Sequence, residues 1–292
     1  MAVHPIGQGR PSAVALATDL DGTLLAPGGF VSQRSIAAIA AARRAGMAVL
    51  PATARPPAAM LSACAGAEVG PLAICSNGAV LYDVENATTI QHHGIPAATA
   101  TAVMAEIRRA VAGSLFGVES LNRFIYEEGM IDPEAARAWG VEEPPVVNMD
   151  AHLDDMVTKL CCWHPELSAA EMAEAVRAVT GEQLTVTSAG AGWALAAAPG
   201  ITKAVGLASA CEHLGLDPTA VVVVGDEHND IPMLRWSAWP VAVANARQEV
   251  LAVAKEIVGS NTSDGVADLL DALVSQRAPQ AMPSPAASAQ TP

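Results

Sequence analysis

The sequence predicts the α/β fold class, with a parallel sheet core that a second, α+β domain interrupts. Four short apolar runs, at residues 13–19, 47–53, 71–75 and 220–226, lack the polar alternation of a half-exposed strand. Continuous apolar runs are typical of parallel strands that helices cover on both faces. The long stretch between the third and fourth runs has a different pattern. These observations predict a Rossmann-like, doubly wound parallel sheet with an insertion.

A helix is predicted between the first two strands, over residues 32–45. Ile36, Ile39 and Ala40 share one face of this helix, and Gly46 is a suitable residue just after its end. A strand, a helix and a strand in this order form a βαβ unit. The first two strands are therefore expected to lie in one parallel sheet.

The insertion is predicted to follow the turn signal Asn77-Gly78. Its pattern indicates alternating strands and amphipathic helices, with strands at 123–127, 157–163 and 184–187 and helices at 96–111 and 168–180. The uncharged stretch 183–202 contains Gly and Pro, which favours strands over a membrane span. The α/β pattern resumes with a helix at 202–214.

These patterns divide the chain into four parts. We expect a first core segment at residues 12–81, an inserted α+β domain at 82–198, a second core segment at 199–275 and a disordered tail at 276–292. The tail is assigned from its Pro, Ala, Ser and Gln content and its lack of periodicity.

Composition limits the possible partners. The net charge of −14, from 30 acidic and 16 basic residues, opposes binding to nucleic acid or an anionic membrane through a broad basic face. The five cysteines show no CxxC spacing, so we expect reduced thiols and a cytoplasmic protein rather than disulfides or a zinc site. The histidines form no HxH or HExxH motif, and we place no metal on them. Without a heptad seam, a monomer is expected.

Two carboxylates follow the first predicted strand. Side chains of an extended segment alternate, so Asp19 and Asp21 should point the same way while Leu20 enters the core. Two such carboxylates repel each other unless a metal ion, a shared proton or fixed donors balance their charge. An Asp-rich turn is the alternative explanation of this segment. A calcium loop is disfavoured, because it needs further oxygen ligands and a glutamate at its last position.

Polar residues at the other strand ends extend this pair. Ligands bind at the carboxyl ends of the strands of a parallel sheet, which selects Asp19, Asp21, Thr53 and Asp226, with Lys203 at a helix start. Acidic oxygens suit a hard divalent cation, a hydroxyl and an ammonium suit phosphate oxygens, and one carboxylate remains to attack phosphorus. This combination of residue types predicts phosphoryl transfer.

Several segments match a known family in the order in which that family has them. They are Asp19-Leu20-Asp21-Gly22-Thr23-Leu24-Leu25, Thr53 with Arg55-Pro56, Ser76-Asn77-Gly78-Ala79, Lys203, Gly225-Asp226-Glu227-His228-Asn229-Asp230-Ile231-Pro232-Met233-Leu234, Val243-Ala244-Asn245-Ala246 and Ser260-Asn261-Thr262-Ser263-Asp264-Gly265-Val266. Over residues 13–273 the sequence resembles the haloacid dehalogenase-like hydrolases, and within them the Cof-type phosphatases. In those enzymes a large α/β cap is inserted between the second and third motifs.

The resemblance implies a role for each matching residue. Asp19 would attack the phosphoryl group and form an aspartyl-phosphate, and Asp21 would act as the general acid and base. A carboxylate oxygen of Asp19, the backbone carbonyl of Asp21 and the carboxylate of Asp226 would hold Mg²⁺. Two further pairs complete the implied site: Thr53 and Lys203 would bind the phosphoryl oxygens, and Asn229 and Asp230 would support the metal site.

The function expected from this resemblance is a Mg²⁺-dependent phosphatase that hydrolyses a small phosphorylated metabolite, either a sugar phosphate or a phosphorylated cofactor. The alternatives are a phosphomutase of the same superfamily and a non-catalytic sensor of phosphorylated metabolites. Two departures from the family pattern are Ala54, where glycine is usual, and the absence of a glutamate near residues 193–198. The candidate cap contacts to substrate are His92, His93, Asn122, Arg123 and Trp193.

Overall fold

The computed structural model describes residues 12–121, 123–138, 141, 144–188 and 192–276 of the 292-residue chain. The first core segment contains β1 Ala15–Thr18, α1 Gln33–Arg44, β2 Ala48–Pro51, α2 Pro57–Ala63, β3 Leu72–Cys75, β4 Val80–Asp83 and β5 Thr88–His92. The inserted part contains β6 Ile95–Pro96, α3 Ala97–Ala110, β7 Leu115–Ser120, β8 Arg123–Tyr126, α4 Pro133–Ala138, β9 Met156–Val157, β10 Lys159–Trp163, α5 Ala169–Thr180, β11 Thr185–Ser188 and β12 Ala194–Ala197. The chain then returns to the core with α6 Lys203–Leu214, β13 Val221–Gly225, α7 Ile231–Trp236, β14 Trp239–Val243, α8 Gln248–Val253, β15 Glu256–Val258 and α9 Gly265–Gln276.

The core sheet confirms the predicted α/β class. Its five strands run in the order β15-β14-β13-β1-β2, and every pair is parallel. All four residues of β1 and all five of β13 are buried, as expected for strands with helices on both faces. In this register, residues after β1 and residues after β13 emerge side by side.

The third predicted strand behaves differently from the other three. Leu72–Cys75 is buried, but it pairs antiparallel with β4, which in turn pairs antiparallel with β5. A single parallel bridge between Ala52 and Ile74 joins β3 to the end of β2. The hairpin of β4 and β5 therefore extends the core sheet at its β2 edge, where the sequence predicts the start of the insertion.

Packing places this hairpin with the core. Val80 and Leu81 are buried in the same apolar cluster as the parallel strands, and Tyr82 and Ile90 pack against it. Apart from Ala79, which precedes β4, the members of a separate cluster begin with Ile95 and Ala100 along the chain. We therefore propose a boundary near residue 94 in place of residue 82. Two other sequence predictions lie outside the described residues. They are the candidate cap contact Asn122 and the tail at 276–292, of which only Gln276 is described.

The inserted part, called the cap below, is built on an antiparallel sheet. Its strand order is β11-β12-β10-β7-β8. The helices α3 and α5 pack on each other and supply Val103, Ile107, Met172 and Val176 to a buried apolar cluster. This cluster lies apart from that of the core, so the cap has its own hydrophobic centre.

Local sequence signals set the helix ends. Ser32 accepts a hydrogen bond from the Ser35 backbone N–H at the start of α1, and Ser168 forms a capping box with Glu171 at the start of α5. The last helix turn of α6 is followed by Gly215 with φ +61°, a conformation that glycine adopts without steric cost. Within the described ranges, every helix is too short or too polar to cross a membrane.

Gly206 allows α6 to approach the loop at the end of β3. A Cβ at this position would lie 2.5 Å from Ile74 Cγ2 and 2.9 Å from the Gly78 Cα. Alanine normally stabilises a helix by about 1 kcal/mol relative to glycine. Here we expect Gly206→Ala to destabilise the protein by about 1–2 kcal/mol, because forced overpacking of a core costs more than the gain in helix propensity.

This prediction is checked by urea denaturation of Gly206→Ala beside Glu212→Ala, an exposed change on the same helix. The control is expected to alter the free energy of unfolding by less than about 0.5 kcal/mol. A Gly206→Ala protein that is as stable as the control, or more stable, would contradict the close approach of α6 to the Gly78 loop.

Candidate active site

The loop after β1 turns back over the core sheet. Asp19 is buried at the end of β1, and Leu20 points into the core with no exposed surface. Gly22 has φ +80°, and a Cβ there would lie 2.3 Å from Asp226 Oδ2. Only glycine fits this point, because a side chain would be strained by the backbone conformation and would also strike the Asp226 carboxylate. Gly22 thus brings the loop against the end of β13.

The loop after β13 contains two acidic residues, Asp226 and Asp230, which have different hydrogen-bond partners. Asp226 Oδ1 accepts a hydrogen bond from the Thr23 hydroxyl at 2.6 Å. Asp230 is fully buried, and its Oδ2 accepts the backbone N–H groups of Asp226 and Glu227 at 2.9 and 3.0 Å. A carboxylate that accepts two backbone donors fixes the loop around itself. Asp230 therefore holds the Asp226 backbone in place.

Lys203 joins the two strand ends. It is the first residue of α6, it is 1% exposed, and its Nζ lies 2.6 Å from both Asp19 Oδ1 and Asp230 Oδ1. Burial by itself lowers the pKa of this ammonium group, but the carboxylates of Asp19 and Asp230 outweigh burial and raise it. Lys203 is therefore a permanent buried cation between two acidic groups.

Three carboxylates lie within a volume that suits one metal ion. Ligand oxygens of Asp19, Asp226 and Asp230 all lie within 4.8 Å of one another. Burial raises the pKa of Asp19 well above its usual range, with Asp230 and Asp226 adding to the shift and Lys203 opposing it. Burial also raises the pKa of Asp226 to about 6, although the Thr23 hydrogen bond opposes this shift. The single ammonium group of Lys203 does not balance the charge of three carboxylates. An oxygen-rich cluster with excess negative charge fits a hard divalent cation.

Asp21 lies at the exposed side of the site. Its carboxylate receives two hydrogen bonds from Arg55, from Nε at 2.7 Å and from Nη2 at 2.6 Å. This fork fixes the carboxylate in one plane. Thr53 is fully buried, and Thr53 Oγ1 accepts the Arg55 backbone N–H at 3.1 Å. The segment that carries Thr53 therefore also positions the partner of Asp21.

The loop after β3 completes the site. Ser76 and Asn77 have φ of +50° and +58°, a conformation that costs roughly 1 kcal/mol or more for residues with a side chain. Backbone hydrogen bonds to Arg55 and Thr53, from the N–H groups of Ser76 and Asn77, stabilise it. Asn229 Nδ2 donates to Asn77 Oδ1 at 3.0 Å, while Asn229 Oδ1 is buried without a partner within the described residues.

The structure brings the sequence-predicted site residues together, at the carboxyl ends of β1, β2 and β13 and at the start of α6. They are Asp19, Asp21, Thr53, Lys203, Asp226, Asn229 and Asp230. The sequence does not reveal that Arg55 pairs with Asp21, that Thr23 fixes Asp226 or that Asn77 contacts Asn229. Thr23, Arg55 and Asn77 all lie in segments that match the family motifs, and this match is the signal that could have indicated them.

Three of the candidate cap contacts bond to or stack on other residues of the protein. The His92 ring lies 3.0 Å from the Thr158 hydroxyl, and the Trp193 ring stacks on Phe124. Arg123 donates to the His152 carbonyl at 3.1 Å. A cavity between cap and core is lined instead by other residues, on the cap side by Lys159, Thr185, Thr187, Leu195 and Ala197 and on the core side by Asn77, Lys203, His228 and Asn229.

Comparison with known proteins gives consistent matches. The family model for haloacid dehalogenase-like hydrolases matches residues 16–270. The pyridoxal phosphate phosphatase YbhA of Escherichia coli is 28% identical over 272 residues, which cover 87% of this chain and 96% of that protein. The 5-amino-6-(5-phospho-D-ribitylamino)uracil phosphatase YbjI of Escherichia coli is 43% identical over 81 residues, so the matched part is 28% of this chain and spans 30% of that protein.

A solved structure extends the similarity to the whole fold. BT1666 from Bacteroides thetaiotaomicron, described among phosphatases of the haloalkanoate superfamily, superposes with a TM-score of 0.75 at 25% identity. The match covers 93% of this chain and 98% of that structure. The arrangement of core and cap is therefore shared over nearly the full length of both chains.

Removal of the Lys203 ammonium group is predicted to destabilise the folded protein. We expect Lys203→Met to lower the free energy of unfolding by about 3 kcal/mol in the presence of a chelator, because Asp19 and Asp230 lose their partner in a buried site. The measurement is urea denaturation beside Lys255→Met. Lys255 is exposed and lies over the Trp239 ring, so the control loss is expected to stay below about 1 kcal/mol. Equal losses in the two variants would contradict a structural role for the Lys203 ammonium group.

Proposed function

The chain belongs to the haloacid dehalogenase-like hydrolases, and on this basis we propose that it is a phosphatase for monoesters of small phosphorylated metabolites. The main supporting observation is the buried Asp19 at the end of β1, tied by Lys203 to Asp230 and adjacent to Asp226. A buried carboxylate held at one oxygen by an ammonium group has its other oxygen available for reaction.

In the proposed first step, Asp19 Oδ2 attacks phosphorus while the bond between phosphorus and the leaving oxygen breaks. Asp21 gives its proton to the leaving oxygen. In the second step Asp21 takes a proton from water, which attacks the aspartyl-phosphate and releases inorganic phosphate and free Asp19. The Arg55 fork holds the Asp21 carboxylate in one orientation. Because an arginine paired with both oxygens favours the ionised carboxylate, we propose that Asp21 takes up its proton when the fork is released.

Thr53 and Lys203 are proposed to bind the phosphoryl oxygens. Thr53 Oγ1 accepts the Arg55 backbone N–H, so its own hydroxyl proton is available to donate. Lys203 supplies a fixed positive charge beside Asp19. Preorganised donors of this kind stabilise the charge that builds on phosphoryl oxygens in the transition state.

We propose Mg²⁺ as the cofactor, with Asp19, the backbone carbonyl of Asp21 and Asp226 as its ligands. When bound, the ion neutralises phosphoryl charge and helps to orient the substrate. Asp230 is better suited to a supporting role, because Lys203 and two backbone N–H groups already occupy both of its carboxylate oxygens. Asn229 supports the same loop through Asn77.

The substrate is proposed to be a sugar phosphate or a phosphorylated cofactor. YbhA is named for pyridoxal phosphate and YbjI for a phosphorylated ribitylaminouracil, and both compounds are small phosphate monoesters. The five cysteines are free and buried, which supports the expectation of a reducing, cytoplasmic location. We keep a monomer without nucleic-acid or membrane partners as part of the proposal.

The proposed reaction is tested by phosphate release. Purified protein is assayed against phosphorylated sugars, cofactors and nucleotides, with Mg²⁺ or with a chelator. We expect Mg²⁺-dependent release that falls by at least about a thousandfold in Asp19→Asn, because the amide is a poor nucleophile. Asp271→Asn, an exposed change on α9, is the matched control and should retain the wild-type rate.

Three outcomes separate the alternatives. Equal activity of Asp19→Asn and wild type would refute the nucleophilic role. Formation of an isomeric sugar phosphate with little free phosphate would establish a phosphomutase instead. Tight, Mg²⁺-dependent binding of a phosphorylated compound without turnover of any member of the panel would identify a sensor.

The metal proposal gives an independent prediction. Mg²⁺ should raise the melting temperature of the wild-type protein, because it relieves the repulsion between the buried Asp19 and the half-buried Asp226 and binds the folded state alone. In Asp226→Asn most of this increase should disappear, since a ligand charge is lost. Thermal unfolding with Mg²⁺ and with a chelator measures the effect, with Asp268→Asn on the exposed face of α9 as control. An undiminished increase in Asp226→Asn would exclude Asp226 as a ligand.

A further inference from the structure

A buried ion pair of the cap lies against the core loops of the active site. Glu119 and Lys159 are opposite each other on β7 and β10, and their side chains are 5% and 6% exposed. Lys159 Nζ lies 2.8 Å from Glu119 Oε2. Residues that are opposite on neighbouring strands project from the same face of a sheet. Here that face is turned toward the core.

Each member of the pair contacts a different core loop. Lys159 Nζ donates to the Ala54 carbonyl at 2.9 Å, between Thr53 and Arg55 in the chain. The Ser76 hydroxyl donates to Glu119 Oε1. Backbone hydrogen bonds already join these two loops, from Ser76 to Arg55 and from Asn77 to Thr53. The pair thus connects the cap to the segment that carries the proposed phosphate-binding hydroxyl and the partner of Asp21.

Glu119 stabilises the protonated form of Lys159. Burial alone lowers the pKa of Lys159, but Glu119 outweighs burial and raises it above its usual value. A protonated ammonium group therefore faces the Ala54 carbonyl, and a charged donor makes a stronger hydrogen bond than a neutral one. The backbone at Ala54 is consequently held by the cap as well as by the core.

We propose that Lys159 and Glu119 are positioning residues for the reaction, which set the Thr53–Arg55 segment when the cap lies on the core. This proposal rests on the proposed function of the site. Neither side chain needs to touch substrate in this role. Lys159 acts through the Ala54 carbonyl, and Glu119 acts by fixing Lys159 and Ser76.

A double variant distinguishes a positioning role of the pair from a purely structural role. Lys159→Met alone leaves Glu119 as an unpaired buried charge, and Glu119→Gln alone leaves Lys159 unpaired, so each is expected to lower the denaturation midpoint. In Lys159→Met with Glu119→Gln no buried charge remains, and the introduced amide oxygen can still accept a hydrogen bond from the Ser76 hydroxyl. We expect the double variant to recover at least half of the decrease in denaturation midpoint that each single variant shows. The double variant nevertheless lacks the ammonium group that donates to the Ala54 carbonyl.

The kinetic test follows from this difference. We expect kcat to fall by at least about tenfold in Lys159→Met and to remain low in the double variant, with KM changed by less than about threefold. Arg108→Met is the matched control, because it breaks the Arg108–Glu127 pair within the cap. Its kcat should stay within about twofold of wild type. Recovery of kcat together with stability in the double variant would overturn the proposal.

Amide hydrogen exchange makes the test independent of turnover. The N–H groups of Ser76 and Asn77 should exchange faster in Lys159→Met and in the double variant than in wild type or in Arg108→Met, because the segment that accepts their hydrogen bonds is no longer held. Unchanged exchange would refute the positioning role. Absence of turnover in wild type would refute the proposed phosphatase, and the exchange measurement would still decide the role of the pair.

Discussion

The hydrogen-bonded triad of Lys203, Asp19 and Asp230 is the interaction on which the rest of the site depends. Its three members come from the start of α6, the end of β1 and the loop after β13. A buried ammonium group between two carboxylates is stable only when all three lie within hydrogen-bond distance, because an unpaired buried charge costs several kcal/mol. The folded core therefore has to bring these three elements to one point. The position of Asp19 is set by this requirement before any substrate arrives.

Close backbone approach makes the triad possible. Gly22 lets the loop after β1 reach Asp226, and Gly225 leaves room for Asp230, since a Cβ at Gly225 would lie 2.6 Å from the Asp230 side chain. The parallel register of β1 and β13 then places acidic groups from distant parts of the chain next to each other. Burial raises the pKa values of Asp19 and Asp226, and the negative charge of Asp230 adds to both shifts while Lys203 opposes them. The divalent cation proposed above would offset the negative charge of these carboxylates and stabilise the folded site.

The parts of the structure that the sequence predicted are those with a local signal or a strand-end position. Asp19, Thr53 and Asp226 each follow an apolar run, and helix ends such as Ser168 carry capping residues. The remaining features depend on contacts between distant segments. Nothing near Glu119 or Lys159 in the chain indicates that they pair or that they contact Ser76 and Ala54. The expected start of the insertion at residue 82 divides β4 for the same reason, because no local signal in the sequence indicates that β4 pairs with β3.

The separation of core and cap has a consequence for specificity. The triad and its supporting loops pack on the core cluster, whereas Ala196 and other residues of the cap sheet belong to a second cluster. The cavity between them is lined on the cap side by Thr185, Thr187 and Leu195. These side chains make no part of the buried charge network, so their size and polarity can change while Asp19 and Lys203 stay where they are. Under the proposed function, leaving-group selection and phosphoryl chemistry are carried by different residues, and the proposed positioning pair of Lys159 and Glu119 connects the cap to the chemistry.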